Sequence, residues 1–160
     1  QTADSPGGNL SAVVSASMHV DINPVAETTG DDRLLYDGSA LNGLAGVDTI
    51  EFRLGENLDF SASPVKPSNI ERFDLMPAGQ NHSLGHLSVQ DVLDMTGSGK
   101  SLTILGDSGD SVSLKGTVGG TWSAGGSQTV DGHNFDVYLN TQDPAVRVLI
   151  EQQIVKSIDP

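Results

Sequence analysis

The chain contains no cysteine, which excludes a disulfide framework, a thiolate nucleophile and a zinc finger, and leaves stability to packing and to bound ions. Basic residues are scarce: 8 Lys and Arg stand against 21 Asp and Glu, for a formal net charge of -13. Such a chain repels phosphate and has no basic stripe to neutralise it, so the charge argues against nucleic acid and anionic membrane surfaces as partners. Aromatic residues make up only 4% of the sequence, which argues against a sugar-stacking cleft. No apolar run approaches the length of a transmembrane helix. The first residues lack a basic and apolar signal pattern, so any export address is expected outside this segment. At 160 residues the chain can bury a single core.

What the sequence does have is acid, glycine and short apolar runs. Two stretches match each other, Gly30-Asp31-Asp32-Arg33-Leu34-Leu35 and Gly46-Val47-Asp48-Thr49-Ile50-Glu51. Both read G-x-D-x-U-x with U a large aliphatic, the second half of the nine-residue G-G-x-G-x-D-x-U-x unit that holds Ca²⁺ between glycine-rich turns. Asp32 and Asp48 lie sixteen residues apart, close to one full turn of two units. The match is partial, because Leu44 and the run Glu27-Thr28-Thr29 replace required positions. Regular repeats do not continue, and the later strands are expected to form hairpins around a packed core.

Nineteen glycines and apolar runs bounded by turn signals predict an all-β fold, either an irregular β-sandwich or a short β-solenoid-like module with hairpins and at most one or two short helices. The clearest strand is Val14 to Ile22, where Val14, Ala16, Met18, Val20 and Ile22 face one way and polar residues the other, until Asn23-Pro24 ends it. Further strands are expected at Leu34 to Tyr36, Thr49 to Leu54, Ile70 to Leu75, Ser101 to Leu105 and Ser111 to Lys115. Asp131-Gly132 predicts a tight type I′ hairpin, followed by an alternating strand carrying Phe135, Val137 and Leu139. Ser88 to Met95 predicts a helix with Ser88 as cap and Asp91 at the reciprocal capping-box position. The tail from Val146 to Ile158 fits either period, and strands suit the rest of the architecture.

Three stretches mimic catalytic motifs. Gly97-Ser98-Gly99-Lys100-Ser101 resembles the end of a P-loop, yet Asp94 replaces the first glycine and a β-like run follows, so an exposed turn is the better account. Gly106-Asp107-Ser108-Gly109 resembles a hydrolase nucleophile region, but no histidine is singled out as the base and a polar turn explains it. His82 and His86 have the spacing of a helical zinc pair without a third ligand.

Calcium is the chemistry with most support, since it takes six to eight oxygen ligands from loops of this composition. The candidate ligands are Asp31, Asp32 and Asp48, extended by Asp37, and separately Asp107 and Asp110 in the Gly106 to Asp110 turn. For each aspartate the alternative is a turn or capping role.

The run from Gly30 to Phe52, the phrases Ser68 to Leu75, Leu87 to Thr96 and Leu102 to Val112, and Thr129 to Tyr138 together resemble a module of the very long RTX adhesins of Gram-negative bacteria. The resemblance covers roughly residues 28 to 158 and rests on the order of several short phrases. It implies a secreted cell-surface protein, exported by a type I system and folding in extracellular Ca²⁺, that serves attachment and biofilm formation. Modules of this kind lie near sugar-, peptide- or ice-binding domains. The implied partners are adjacent domains of the same adhesin, with a host or surface glycan or peptide in reach, and the module itself is expected to be a monomer outside the membrane. The resemblance carries over no catalytic residue. Val20 to Val25 is similar to the closing strand of Ig-like stalk repeats, which divides the chain into an N-terminal strand and junction at 1–27 and the main module at 28–160. A Ca²⁺-rigidified scaffold, a Ca²⁺-dependent sugar- or peptide-binding module and, remotely, a hydrolase remain as the three functions to separate.

Overall fold

The first four strands are three residues long with a buried middle residue, the later ones are longer, and their buried side chains fix how they stack. The computed structural model describes residues 28–76, 80–117 and 119–159. The expected strand Val14 to Ile22 and the N-terminal segment 1–27, with a junction expected around Pro6-Gly7-Gly8-Asn9, lie outside the described residues; of the alternative junction, Glu27 to Gly30, only Glu27 does. In chain order the elements are β1 (Arg33–Leu35), β2 (Thr49–Glu51), β3 (Asn57–Asp59), β4 (Arg72–Asp74), β5 (Ser83–Ser88), α1 (Val89–Thr96), β6 (Ser101–Leu105), β7 (Ser111–Lys115), β8 (Trp122–Val130), β9 (His133–Asn140), β10 (Arg147–Glu151) and β11 (Val155–Asp159).

The fold is mostly β, in two sheets. One has the order β1-β2-β4-β6-β10-β9-β8 and the other β11-β7-β5-β3. From β2 onward the chain alternates between them, β2 to β3, β4 to β5, β6 to β7 and β10 to β11, and each strand pairs in parallel with its counterpart one coil earlier. A third side is marked by backbone bonds alone, from Gly43 N to Ser68 O at 3.1 Å and from Ile70 N to Met95 O at 3.0 Å. The later strands thus do not form successive hairpins, as their spacing had suggested. Only β8 and β9 do so, and this hairpin joins the large sheet antiparallel to β10. The reason is the core: parallel winding stacks like on like, so Leu34, Ile50, Phe73, Ile104 and Ile150 form one in-register column. In the facing sheet Leu58, Leu84 and Val112 form another. All eight are 2% exposed or less.

The few aromatics are concentrated here. Phe52 meets Phe73 edge-on at 6.0 Å, Phe60 meets Phe73 at 6.4 Å, and Tyr36 stacks on Phe52 at 4.7 Å. The column ends at Lys156, which is in register with Val112 and sends its ammonium to Asp136 and to the carbonyls of Glu151 and Gln152.

The helix forms where its capping box predicts. Ser88 Oγ accepts from the Asp91 amide while the Asp91 carboxylate accepts from the Ser88 amide, and Val89, Val92 and Met95 are buried. The hairpin turn has φ of 52° at Asp131 and 85° at Gly132, as a type I′ turn requires. The tail resolves as two strands, β10 and β11. Phe73 sits at the centre of the column with ring contacts to both Phe52 and Phe60, so Phe73→Ala should cost about 3–5 kcal/mol. Urea unfolding should show this as a lower midpoint with an unchanged slope.

Candidate functional site

The twin stretches lie one directly over the other, a coil apart. Gly46 adopts φ of 141°, and a Cβ there would meet the Gly30 carbonyl oxygen at 2.6 Å, so the two turns approach as closely as glycine allows. One pair above, Asp31 Oδ1 accepts from the Val47 amide at 2.8 Å. The strand-start acids then form a staircase. The Asp32 carboxylate accepts from the Thr28 amide and hydroxyl, Asp48 Oδ1 accepts from the Asp32 amide at 2.8 Å, and Glu71 Oε2 accepts from the Asp48 amide at 3.0 Å. Asp48 and Glu71 therefore each satisfy the amide just before the strand of the coil before, a donor that would otherwise lack a partner, while Asp32 closes its own turn.

Electrostatically the staircase is uncomfortable. Asp48 is fully buried, and burial pushes its carboxyl above the usual carboxylate range, against the hydrogen bond from the Asp32 amide and with the charges of Asp32 and Asp31 adding to the shift. Burial likewise raises Glu71, opposed by the Asp48 amide and helped by the charges of Asp48 and Asp31. Asp48 Oδ2 has no hydrogen-bond partner. It lies against Gly43, where an added Cβ would fall 2.4 Å from Oδ2 and 2.1 Å from the Asn69 carbonyl oxygen.

Of the sequence-predicted ligands, Asp31, Asp32 and Asp48 thus come together. Asp37 serves its own turn instead, accepting from the Ser39 amide at 2.8 Å, and the hydrogen bonds with Ser39 hold its carboxyl below the usual range. Glu71 is the member that sequence reasoning missed. Its signal was its position before a strand, the place that Asp32 and Asp48 also occupy.

The second group repeats the pattern in the other sheet. Asp110 Oδ1 accepts from the His82 amide at 2.9 Å and Oδ2 from the Asp107 amide at 2.8 Å. Burial raises Asp110, opposed by these two amides. Asp107 Oδ1 accepts from the Gly109 amide at 2.8 Å, so this pair closes the turn before β7. Among the described residues no group of three or more His, Asp or Glu is arranged to hold a metal ion. The staircase has the charge that Ca²⁺ requires and one unused buried oxygen, Asp48 Oδ2, to offer it.

The mimics of catalytic motifs have structural roles. His82 and His86 lie on and before β5 and not on a helix, His82 with Glu56 at 3.4 Å and His86 with Asp59 at 2.9 Å. Hydrogen bonds from Ser61, with a further one from His86, hold Asp59 down at about 2. The Ser108 hydroxyl is bonded to no described histidine. Gly97–Gly99 is an exposed 3₁₀ turn, and Lys100 Nζ pairs with Asp143 at 2.8 Å. No family model, curated protein or solved structure matches the chain.

The staircase sets a pH dependence. Asp48, Glu71 and Asp110 take up protons in the folded state before they do in the unfolded chain, so stability should rise as pH falls from 7 towards about 4, where unfolded carboxylates titrate. Asp48→Asn keeps the acceptor for the Asp32 amide and removes the buried charge, so it should leave stability at pH 7 unchanged or raise it by about 1 kcal/mol and flatten that slope. Asp48→Ala orphans the Asp32 amide and should cost about 1–3 kcal/mol. Denaturant midpoints at pH 5 and 7 for the three proteins read all of these effects.

Proposed function

We propose that this chain is a module of a large bacterial surface adhesin, a Ca²⁺-stabilised scaffold that supports or presents neighbouring ligand-binding domains in cell attachment and biofilm formation. Its architecture is a short β-solenoid-like module, and its place of action is outside the cell. The observation that carries the reading is the acidic staircase on a parallel winding: Asp32, Asp48 and Glu71 stack in successive coils with Asp31 beside them. A divalent cation drawn to Asp48 and Glu71, with Asp31 and Asp32 beside them, would neutralise like charges that burial raises at Asp48 and Glu71. Supporting the scaffold role, among the described residues β1 ends the large sheet and β3 and β11 end the small one, edges onto which further elements of a long protein can continue. The acidity, the glycine-rich turns and the resemblance to RTX adhesins point the same way.

A binding module that holds its own sugar or peptide through Ca²⁺ needs an acid-lined cleft. Of the clefts among the described residues, the one of about 520 Å³ bounded by Gly116, Thr117, Gly120, Thr121, Thr141 and Gln142 has no acid in its lining, and those that do have one acid each, Asp131 or Glu151, too few to hold Ca²⁺.

Thermal unfolding in Ca²⁺ and in chelator tests the reading. At a Ca²⁺ concentration roughly tenfold above an extracellular-type Kd, the midpoint should rise by roughly 5 °C. Asp48→Asn should abolish the increment. A transition unchanged by Ca²⁺ would remove the ion from the account.

A further inference from the structure

The outer face of the large sheet carries a second, smaller apolar cluster, in which Phe135, Val137 and Leu149 are buried and Leu105, Val130 and Leu139 pack around them. Between this cluster and the β8–β9 turn lies a cleft of about 120 Å³, lined by Arg72, Thr103, Leu105, Val130, Asp131, His133 and Phe135. Among the described residues, two of its charged groups have no partner. Arg72 stands in register between Thr49 and Thr103, both uncharged. The nearby acids are already held elsewhere: Glu51 pairs with Arg33 and Arg53, and Asp74 pairs with Arg33 at 2.6 Å. Among the four arginines, all of them described, Arg72 alone has a guanidinium with neither a hydrogen bond nor an ion pair, in a chain of net charge -13. On the opposite rim the Asp131 carboxylate is equally unpartnered, exposed at the hairpin turn, and no ion pair joins it to Arg72.

The wall between them is fixed. His133 Nδ1 bonds Glu151 Oε1 at 2.8 Å, and Glu151 Oε2 accepts from the Gly106 amide at 3.0 Å, so the imidazole and the start of β9 are tied to the sheet. A pre-set cleft with an unmatched cation on one side, an unmatched anion on the other and an apolar floor is complementary to a ligand with the same three parts.

We propose that this cleft binds a small zwitterion, its carboxylate on Arg72, its ammonium on Asp131 and a short aliphatic body over Leu105 and Phe135. A guanidinium favours a carboxylate through two parallel N–H donors, and the small volume limits the body to the size of an aliphatic amino acid. Arg72 follows Glu71 of the staircase directly in the chain, but the cleft on the outer face is lined by none of the staircase carboxylates, so its ligand does not need Ca²⁺.

The test is titration of the 160-residue chain, in chelator, with L-valine, with isovalerate as the carboxylate alone and with isobutylamine as the ammonium alone, followed by ¹⁵N chemical shifts and calorimetry. Valine should shift Thr103, Leu105 and His133 and bind at millimolar concentration, with each half-ligand about tenfold weaker. Arg72→Gln and Asp131→Asn should each weaken valine by about tenfold. Neither should lower the melting temperature, since Arg72 has no partner to lose and asparagine is favoured at this turn position. Isovalerate binding as tightly as valine, or Asp131→Asn leaving valine unaffected, overturns the zwitterion; shifts absent from these residues overturn the site.

Discussion

Parallel register is the constraint on which everything else in this protein depends. In a strand of three residues only the middle one faces the core, so a slip of one position turns Leu34, Ile50 or Phe73 outward and leaves a charged neighbour such as Arg33 or Arg72 inside. Short strands contribute little pairing energy each, and the column they place in register supplies what the ladder lacks. Burial of one large aliphatic or aromatic side chain per coil is worth about 1.5–3 kcal/mol, comparable with the net gain of the few hydrogen bonds that the coil adds.

The same register brings the acids together. A parallel coil begins with an amide whose neighbour is the strand-start residue of the next coil, and a carboxylate there gives that amide a strong acceptor. Repeated through Asp32, Asp48 and Glu71, this local solution stacks like charge on like charge. Hydrogen bonding and charge therefore oppose each other along one edge of the molecule, and the raised Asp48 and Glu71 are where the opposition falls. Glu51 shows the contrasting outcome. Burial acts to raise it, yet Arg53 and Arg33 bond its carboxylate and hold it below the usual range. The basic residues are few, and none of them is paired with Asp48 or Glu71 among the described residues.

Where local chemistry decided structure, the sequence was legible. The Ser88 and Asp91 capping box, the Asp131-Gly132 turn, and strands β6 and β7 are each fixed by residues within a few positions. The coil made by the twin stretches was legible too, because both its ends kept the glycine and the aspartate. The continued winding was not, since its partners are separated by stretches that lengthen from coil to coil and share no repeat: Phe73 follows Ile50 closely, whereas Ile150 follows Ile104 only after a whole hairpin. β3 and β5 escaped notice for a related reason. Asn57-Leu58-Asp59 has one apolar residue, and β5 contains Gly85 and a bulge, so neither presents a period to read. Among the acids, sequence distinguished the glycine-flanked ones and passed over Glu71, whose place depends on a pairing invisible in one dimension.

The lengthening connections also explain where this fold can acquire surface. Strand positions in the columns are bound by register, whereas the segment between two columns need only return to the next strand start. After β5 that segment is spent on α1, which covers one end of the core with Val89, Val92 and Met95. After β7 it becomes the β8–β9 hairpin, whose inner residues Phe135 and Val137 lie on the outer face of the sheet and create a second apolar cluster there. The wall of the cleft beside Arg72 therefore comes from an excursion of the chain, while Arg72 itself belongs to the winding. Because β9 is tied to β10 through five register pairs and His133 to Glu151, the excursion is held against the coil and can present fixed chemistry, with no cost to the columns that keep the coil wound.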